Sequence, residues 1–198
     1  MLTPSDPIGP SGSSGGEFRL LREETVFEGS LITVGAAQFE APDGTRFDRE
    51  LVHHPGAVVV VPVTSEGRVV MVRQFRAAIG RDLLEVPAGK RDVEGEPTET
   101  TAERELMEEV GRRAGSMELI ACFYNSPGFC DEYTWLYLAR DLAAIPHDPQ
   151  GAEERHMVIE EVSLDDVPRL IAAFEIVDAK TIIGLCLARE RLTPPYTA

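Results

Sequence analysis

The sequence predicts an α/β protein: an α/β/α sandwich on a mixed sheet, with an antiparallel β module added at the N-terminal side. Three observations predict it. Ala57 to Val63 is a run rich in β-branched residues and reads as a central strand buried on both faces. A single strongly patterned helix runs from Pro97 to Gly111, between strand-like segments, and two further helical segments lie after the last strand. Three strand-like pieces precede the central strand.

In chain order, residues 1–17 hold Pro4, Pro7, Pro10 and the low-complexity run SGSSGG, and are expected to be a flexible tail without a core. Residues 18–53 form the added module, with strands at Leu20 to Phe27, Leu31 to Glu40 and Thr45 to Val52 and a hairpin turn at Asp43-Gly44. Residues 54–198 form the main domain. After the central strand and the turn Ser65-Glu66-Gly67, a strand over Arg68 to Phe75 ends in Arg73-Gln74-Phe75-Arg76. A further apolar run, Leu83 to Ala88, is ended by Gly89. Beyond the patterned helix come strands at Met117 to Tyr124, Tyr133 to Ala139 and Met157 to Val162, with a Pro- and Gly-bearing loop over Asp141 to Ala152. Ser163-Leu164-Asp165-Asp166 caps a helix over Val167 to Phe174, and Asp178-Ala179-Lys180 starts the last helix, with Ile182, Ile183, Leu185, Cys186 and Leu187 as its expected buried side.

Composition narrows the function. Among 198 residues, 43% are apolar and 27% charged, which is ordinary for a soluble domain of sufficient size for a core. Lys and Arg number 19 against 34 Asp and Glu, a formal charge of −15. That field repels polyanions unless a metal or a local arginine cluster intervenes, so small anionic ligands are expected and nucleic acid is not. Three cysteines without C-x-x-C spacing are expected to be buried free thiols in a reducing cytoplasm. No apolar run approaches the length of a membrane span.

The helix from Pro97 to Gly111 carries the chemistry. Proline is tolerated in a first helical turn, and glycine suits a helix C-terminus. Ala102, Leu106 and Val110 form an apolar stripe, while Glu105, Glu108 and Glu109 fall together on another face at i, i+3 and i+4. Like charges ~4 Å apart repel by ~1 kcal/mol in water and by up to ~4 kcal/mol near a protein surface. Either the three carboxylates splay into solvent or a cation holds them. Oxygen donors on a rigid helix beside a glycine turn suit a hard ion, Mg²⁺ or Mn²⁺.

The run Gly89, Glu96, Arg104-Glu105-Leu106-x-Glu108-Glu109-x-Gly111 resembles the signature of the Nudix hydrolases, which cleave nucleoside diphosphates linked to another moiety. Two departures are visible: the loop Lys90 to Gly95 is one residue longer than the family pattern, and Arg112 stands where the family has an aliphatic residue. The register from Glu96 to Gly111 is intact. Ser126-Pro127-Gly128, after the signature, is similar to the turn of the ADP-ribose pyrophosphatase branch.

This resemblance implies a Nudix-type α/β/α sandwich with mixed sheet and an N-terminal module that builds a homodimer. It implies metal ligands at the Ala88 carbonyl, Glu105, Glu109, Glu108 and the loop residue Glu154, with Glu153 as the general base. The last two roles are exchangeable, and His156 is a weaker candidate base. Arg104 is expected to neutralise and position a neighbouring glutamate. Substrate contacts are implied at Arg49, Arg76, Ser126, Pro127, Gly128 and Glu132. An exposed-strand arginine remains the alternative for Arg49, and a plain hairpin turn for Ser126 to Gly128. Arg73 and Arg81 are read as surface residues. Phe27, Phe39, Phe75 and Tyr124 are open candidates for stacking on a base, with core packing as the alternative.

The implied activity is hydrolysis of ADP-ribose, or a related nucleotide sugar diphosphate, to AMP and ribose 5-phosphate in the cytoplasm. Two rivals stand beside it: a Nudix hydrolase for a nucleoside triphosphate, coenzyme A or GDP-mannose, and a non-catalytic nucleotide-sensing module of the same fold.

Overall fold

The computed structural model describes residues 17–146 and 154–192, with only the backbone described at Glu154. Residues 1–16 of the expected tail 1–17, and most of the loop after Pro146, lie outside these. The chain divides into two compact units, one running through Gly56 and including Cys122–Thr134, the other comprising Ala57–Ala121 and the chain from Trp135 onward.

In the first unit, β1 (Arg19–Glu28), β2 (Thr33–Glu40) and β3 (Arg46–His53) form an antiparallel sheet in that order. The expected turn between β2 and β3 is present. Gly44 has φ 84°, a conformation glycine adopts without steric cost, and the Asp43 carboxylate accepts from the Thr45 amide at 2.9 Å. The 125–132 turn is tied to β3: the Val52 amide donates to the Phe129 carbonyl, and the Asp131 amide donates to the Val52 carbonyl.

The second unit holds β4 (Ala57–Pro62), β5 (Arg68–Arg76), β6 (Arg81–Glu85), β7 (Ala88–Lys90), α1 (Thr98–Val110), β8 (Arg112–Arg113), and most of β9 (Ser116–Tyr124) and β10 (Tyr133–Arg140). It continues with β11 (Ala143–Ala144), a short 3-10 turn at Glu154–His156, β12 (Val158–Ser163), α2 (Val167–Ala172) and α3 (Ala179–Leu192). One sheet has the order β7-β4-β10-β9; another is β12-β5-β6; β8 and β11 pair separately. Val58 to Val61 are all fully buried. Successive strand residues point to opposite faces, so β4 is covered on both, as its β-branched run predicts. Helices α1 and α3 pack on it. At Gly184 of α3, a Cβ would press against Val61 and Leu136, so glycine lets the helix lie close to the sheet.

Two local expectations need correction. The apolar run into Gly89 is not one strand: it breaks at Val86-Pro87, and Gly89 sits inside the short strand β7, opposite Val58. Nor are the cysteines buried. Cys122 and Cys130 are half-buried and Cys186 is exposed, because α3 buries Thr181, Gly184, Leu185 and Ala188 instead.

Candidate active site

Helix α1 begins after Pro97 and ends at Gly111, whose φ of 58° and ψ of 43° close it in the left-handed conformation. Its first turn is pinned by Glu96, which accepts from the Thr101 hydroxyl at 2.7 Å. The apolar stripe is buried as expected. The carboxylates, however, do not all fall on a solvated face. Glu105 and Glu109 are only 8% and 4% exposed, while Glu108 is half-buried.

The two buried acids meet the backbone of β7. Glu109 Oε2 accepts from the Ala88 amide at 3.0 Å. The Glu105 carboxylate lies so close against Gly89 that a Cβ at that position would overlap it. Glycine is therefore required for contact, since the hydrogen it carries leaves room for an acid where any side chain would not. Arg104 gathers the others. Its Nη1 donates to Glu105 Oε1 at 2.8 Å and to Glu108 Oε2 at 3.0 Å, and its Nη2 lies 3.5 Å from Glu96 Oε2. Burial works against the charge of Arg104, but Glu105 and Glu108 outweigh it and hold the guanidinium above its ordinary value.

Among the described residues, no three acid, imidazole or thiol groups form a ready-made cage for an ion. Glu108 turns toward Arg104, and Glu105 divides between Arg104 and Gly89. The donor chemistry nonetheless fits a hard divalent cation: carboxylate oxygens on one rigid helix, two of them drawn out of water beside the Ala88–Gly89 backbone.

Beside this cluster lies Arg76 at the end of β5. Its Nε and Nη2 form a two-point contact with Glu85, at 2.7 and 2.6 Å. Glu85 is fully buried and also accepts from Lys180. Sequence reasoning missed Glu85, Lys180, Asp178 and Thr181, treating the last helix as packing alone. A glutamate inside the otherwise apolar run Leu83 to Ala88 was the signal that a cation must lie opposite.

The other expected site residues have the following local surroundings. Arg73 pairs with Glu160 at 2.5 Å, and Arg81 is exposed, as read from sequence. In the first unit, Arg49 is exposed, donates to the Asp48 carbonyl and covers the Phe47 ring at 4.6 Å. The Ser126 carbonyl accepts from the Phe129 and Cys130 amides, closing the turn that holds Pro127 and Gly128. The Glu132 carbonyl accepts from the Asn125 amide. Pro127 lines a pocket of about 270 Å³ with Leu51, His53, Tyr124 and Phe129. Of the aromatic candidates, Phe39 stacks on Phe47 and Tyr124 meets Tyr133 edge-on, whereas Phe27 and Phe75 are exposed and not core residues. Glu153 lies outside the described residues, and of Glu154 only the backbone is described; His156 is exposed in the 3-10 turn.

Comparison with known proteins decides the family. Residues 52–183 match the model of the NUDIX domain. The chain belongs to the Nudix hydrolase family. This Nudix chain is 41% identical over 169 residues to an ADP-ribose pyrophosphatase of Bacillus subtilis, covering 85% of this chain and 91% of that one. It is 36% identical over 169 residues to a methanol dehydrogenase activator of Bacillus methanolicus, with 85% of this chain and 91% of the relative covered. A crystal structure of an ADP compounds hydrolase superposes with a TM-score of 0.80 at 24% identity, over 91% of this chain and 97% of that one. That likeness shows the Nudix fold. No described helix is long and apolar enough to cross a membrane.

Proposed function

We propose that this Nudix hydrolase cleaves the diphosphate of ADP-ribose, or of a related nucleoside diphosphate sugar, to AMP and ribose 5-phosphate. The observation that carries the reading is the meeting of Glu105 and Glu109 with the Ala88–Gly89 backbone, within a signature that retains all its acids. The similarity to the Bacillus subtilis ADP-ribose pyrophosphatase supports the choice of substrate.

Nudix hydrolases are generally divalent-metal dependent, and here Glu105, Glu109, Glu108 and the Ala88 carbonyl would hold Mg²⁺ or Mn²⁺, with Glu154 assigned by family resemblance. The ion, when bound, neutralises diphosphate charge and lowers the pKa of water. The chain supplies the rest. Arg76 presents a guanidinium to the diphosphate oxygens, oriented by the buried Glu85. Arg104 holds Glu105 and Glu108 in register with the β7 backbone. Glu153 takes the proton of the attacking water at its carboxylate; this assignment, exchangeable with Glu154, is supported by the family resemblance. Substrate roles for Arg49, Ser126, Pro127, Gly128 and Glu132 are supported in the same way.

Homodimer formation through the N-terminal sheet is part of the proposal. It is supported by the exposure of Phe18, Leu20, Val26 and Phe27 on or beside β1, apolar surface that a second copy would cover. Three free thiols support a reducing, cytoplasmic setting. The deciding experiment is a phosphate-product assay on a nucleotide panel with Mg²⁺, with Glu109→Gln as the control. Turnover of ADP-ribose above nucleoside triphosphates is expected. Preference for triphosphates would remove the substrate assignment, and no turnover of any nucleotide would favour a sensing module.

A further inference from the structure

Glu85 is 0% exposed, and its carboxylate accepts from three donors. Arg76 Nε reaches Oε1 at 2.7 Å, Arg76 Nη2 reaches Oε2 at 2.6 Å, and Lys180 Nζ donates to the same Oε2. Lys180 Nζ donates again to Asp178 Oδ2 at 2.9 Å. The four groups form a neutral set, two cations and two anions. A carboxylate taken wholly out of water needs such partners, and removing one leaves an uncompensated charge. The set is also anchored to the backbone that leads into β7: Asp178 Oδ2 accepts from the Thr181 amide at 2.9 Å, and Thr181 Oγ1 accepts from the Val86 amide at 3.1 Å.

Arg76 is therefore contested. Glu85 takes two of its nitrogens, while its Nη1 has no hydrogen bond to any described residue and its side chain is 38% exposed. Lys180 shares Glu85 Oε2 with Arg76, and among the described residues it makes the ion pairs to Asp178. Without it, Arg76 would be the sole cation facing Glu85 and Asp178 among the described residues.

We propose that Lys180 is a positioning residue: by sharing Glu85 and neutralising Asp178, it keeps the outer part of the Arg76 guanidinium available to a diphosphate. This rests on the reading of Arg76 as the diphosphate contact. Lys180 itself touches no substrate in this scheme. Its loss should weaken ground-state and transition-state binding alike, which raises KM and leaves kcat nearly unchanged.

The test compares full-length wild type, Lys180→Met, Lys180→Arg, Arg76→Ala and the Arg76→Ala/Lys180→Met pair, with ADP-ribose and Mg²⁺. Expected for Lys180→Met is a rise in KM of about tenfold with kcat within about threefold, restored in Lys180→Arg. In the Arg76→Ala background the same change should add less than about twofold, because the two residues act as one unit. A fall in kcat at constant KM reports loss of folded enzyme and overturns the proposal, as does an additive double variant. Should Lys180→Met fail to fold, Lys180→Gln keeps a donor without the charge and must show the same KM effect. Calorimetric binding of inorganic pyrophosphate with Mg²⁺, run on the same proteins, separates this inference from the substrate assignment. Wild type that binds pyrophosphate but leaves ADP-ribose intact refutes the substrate alone. Equal pyrophosphate affinity in wild type and Lys180→Met, or none in either, refutes the role of Lys180.

Discussion

Glu109, in the last turn of α1, accepts a hydrogen bond at 3.0 Å from the amide of Ala88, at the first position of β7. Under the proposed function the same carboxylate also serves the cation, so the structural and chemical roles can be tested separately. Glu109→Gln keeps an amide oxygen able to accept from Ala88 but removes the charge. It is expected to lower kcat for ADP-ribose by about a thousandfold, the order seen when a preorganised electrostatic group is removed, while the melting temperature holds or rises. A steady-state assay and a thermal melt on the same protein check both halves; an active Glu109→Gln would remove this residue from the machinery.

Gly89→Ala probes the neighbouring contact. The new Cβ would occupy the space of the Glu105 carboxylate and displace it from the strand. Displacing a catalytic group by about 1 Å costs roughly a hundredfold in rate. Stability should change much less, because Glu105 keeps Arg104 as a partner. The kcat/KM ratio set against the urea midpoint is the measurement.

These two contacts show where sequence stops being legible. The position of α1 between Pro97 and Gly111, the fully buried strand β4 and the Asp43-Gly44 turn follow from residue types that act locally, so they were readable. The acids Glu105 and Glu109 were readable as a cluster, but their burial was not. A helical wheel places charges by angle, and it does not show that β7 would present backbone amides and a side-chain-free glycine to that face. Lys180 and Glu85 are 95 residues apart in the chain, and nothing in either local sequence announces the pairing.

Gly111 ends α1 with φ 58°, and its amide donates to the carbonyls of Leu106 and Met107. A residue with a Cβ in this left-handed region costs roughly 1–2 kcal/mol. Gly111→Ala is therefore expected to lower the unfolding free energy measured by chemical denaturation by roughly 1–2 kcal/mol. Activity per folded molecule should be retained, because the strain falls two residues beyond Glu109, the last of the acids. Loss of activity without loss of stability would contradict this division.

His53 lies between two carboxylates of its own unit: Nε2 is 2.6 Å from Glu23 Oε1, and Nδ1 is 2.7 Å from Asp131 Oδ2. Hydrogen bonds to Glu23 and then Asp131 raise its pKa above 6.5, against a smaller opposing effect of burial. Asp131 also accepts from the His54 amide at 2.8 Å, so the imidazolium ties β1, β3 and the 125–132 turn together. For a group whose pKa is higher folded than unfolded, the stabilisation is complete below the unfolded value, about 6.5, and is lost as pH rises through the folded value. The melting temperature of wild type should therefore exceed that of His53→Gln most clearly at about pH 6, with the gap closing at higher pH. An NMR titration of the His53 ring protons gives the folded midpoint directly. A midpoint at or below 6.5, or a gap between the two proteins that does not change with pH, would show that the two carboxylates do not hold the proton on this ring.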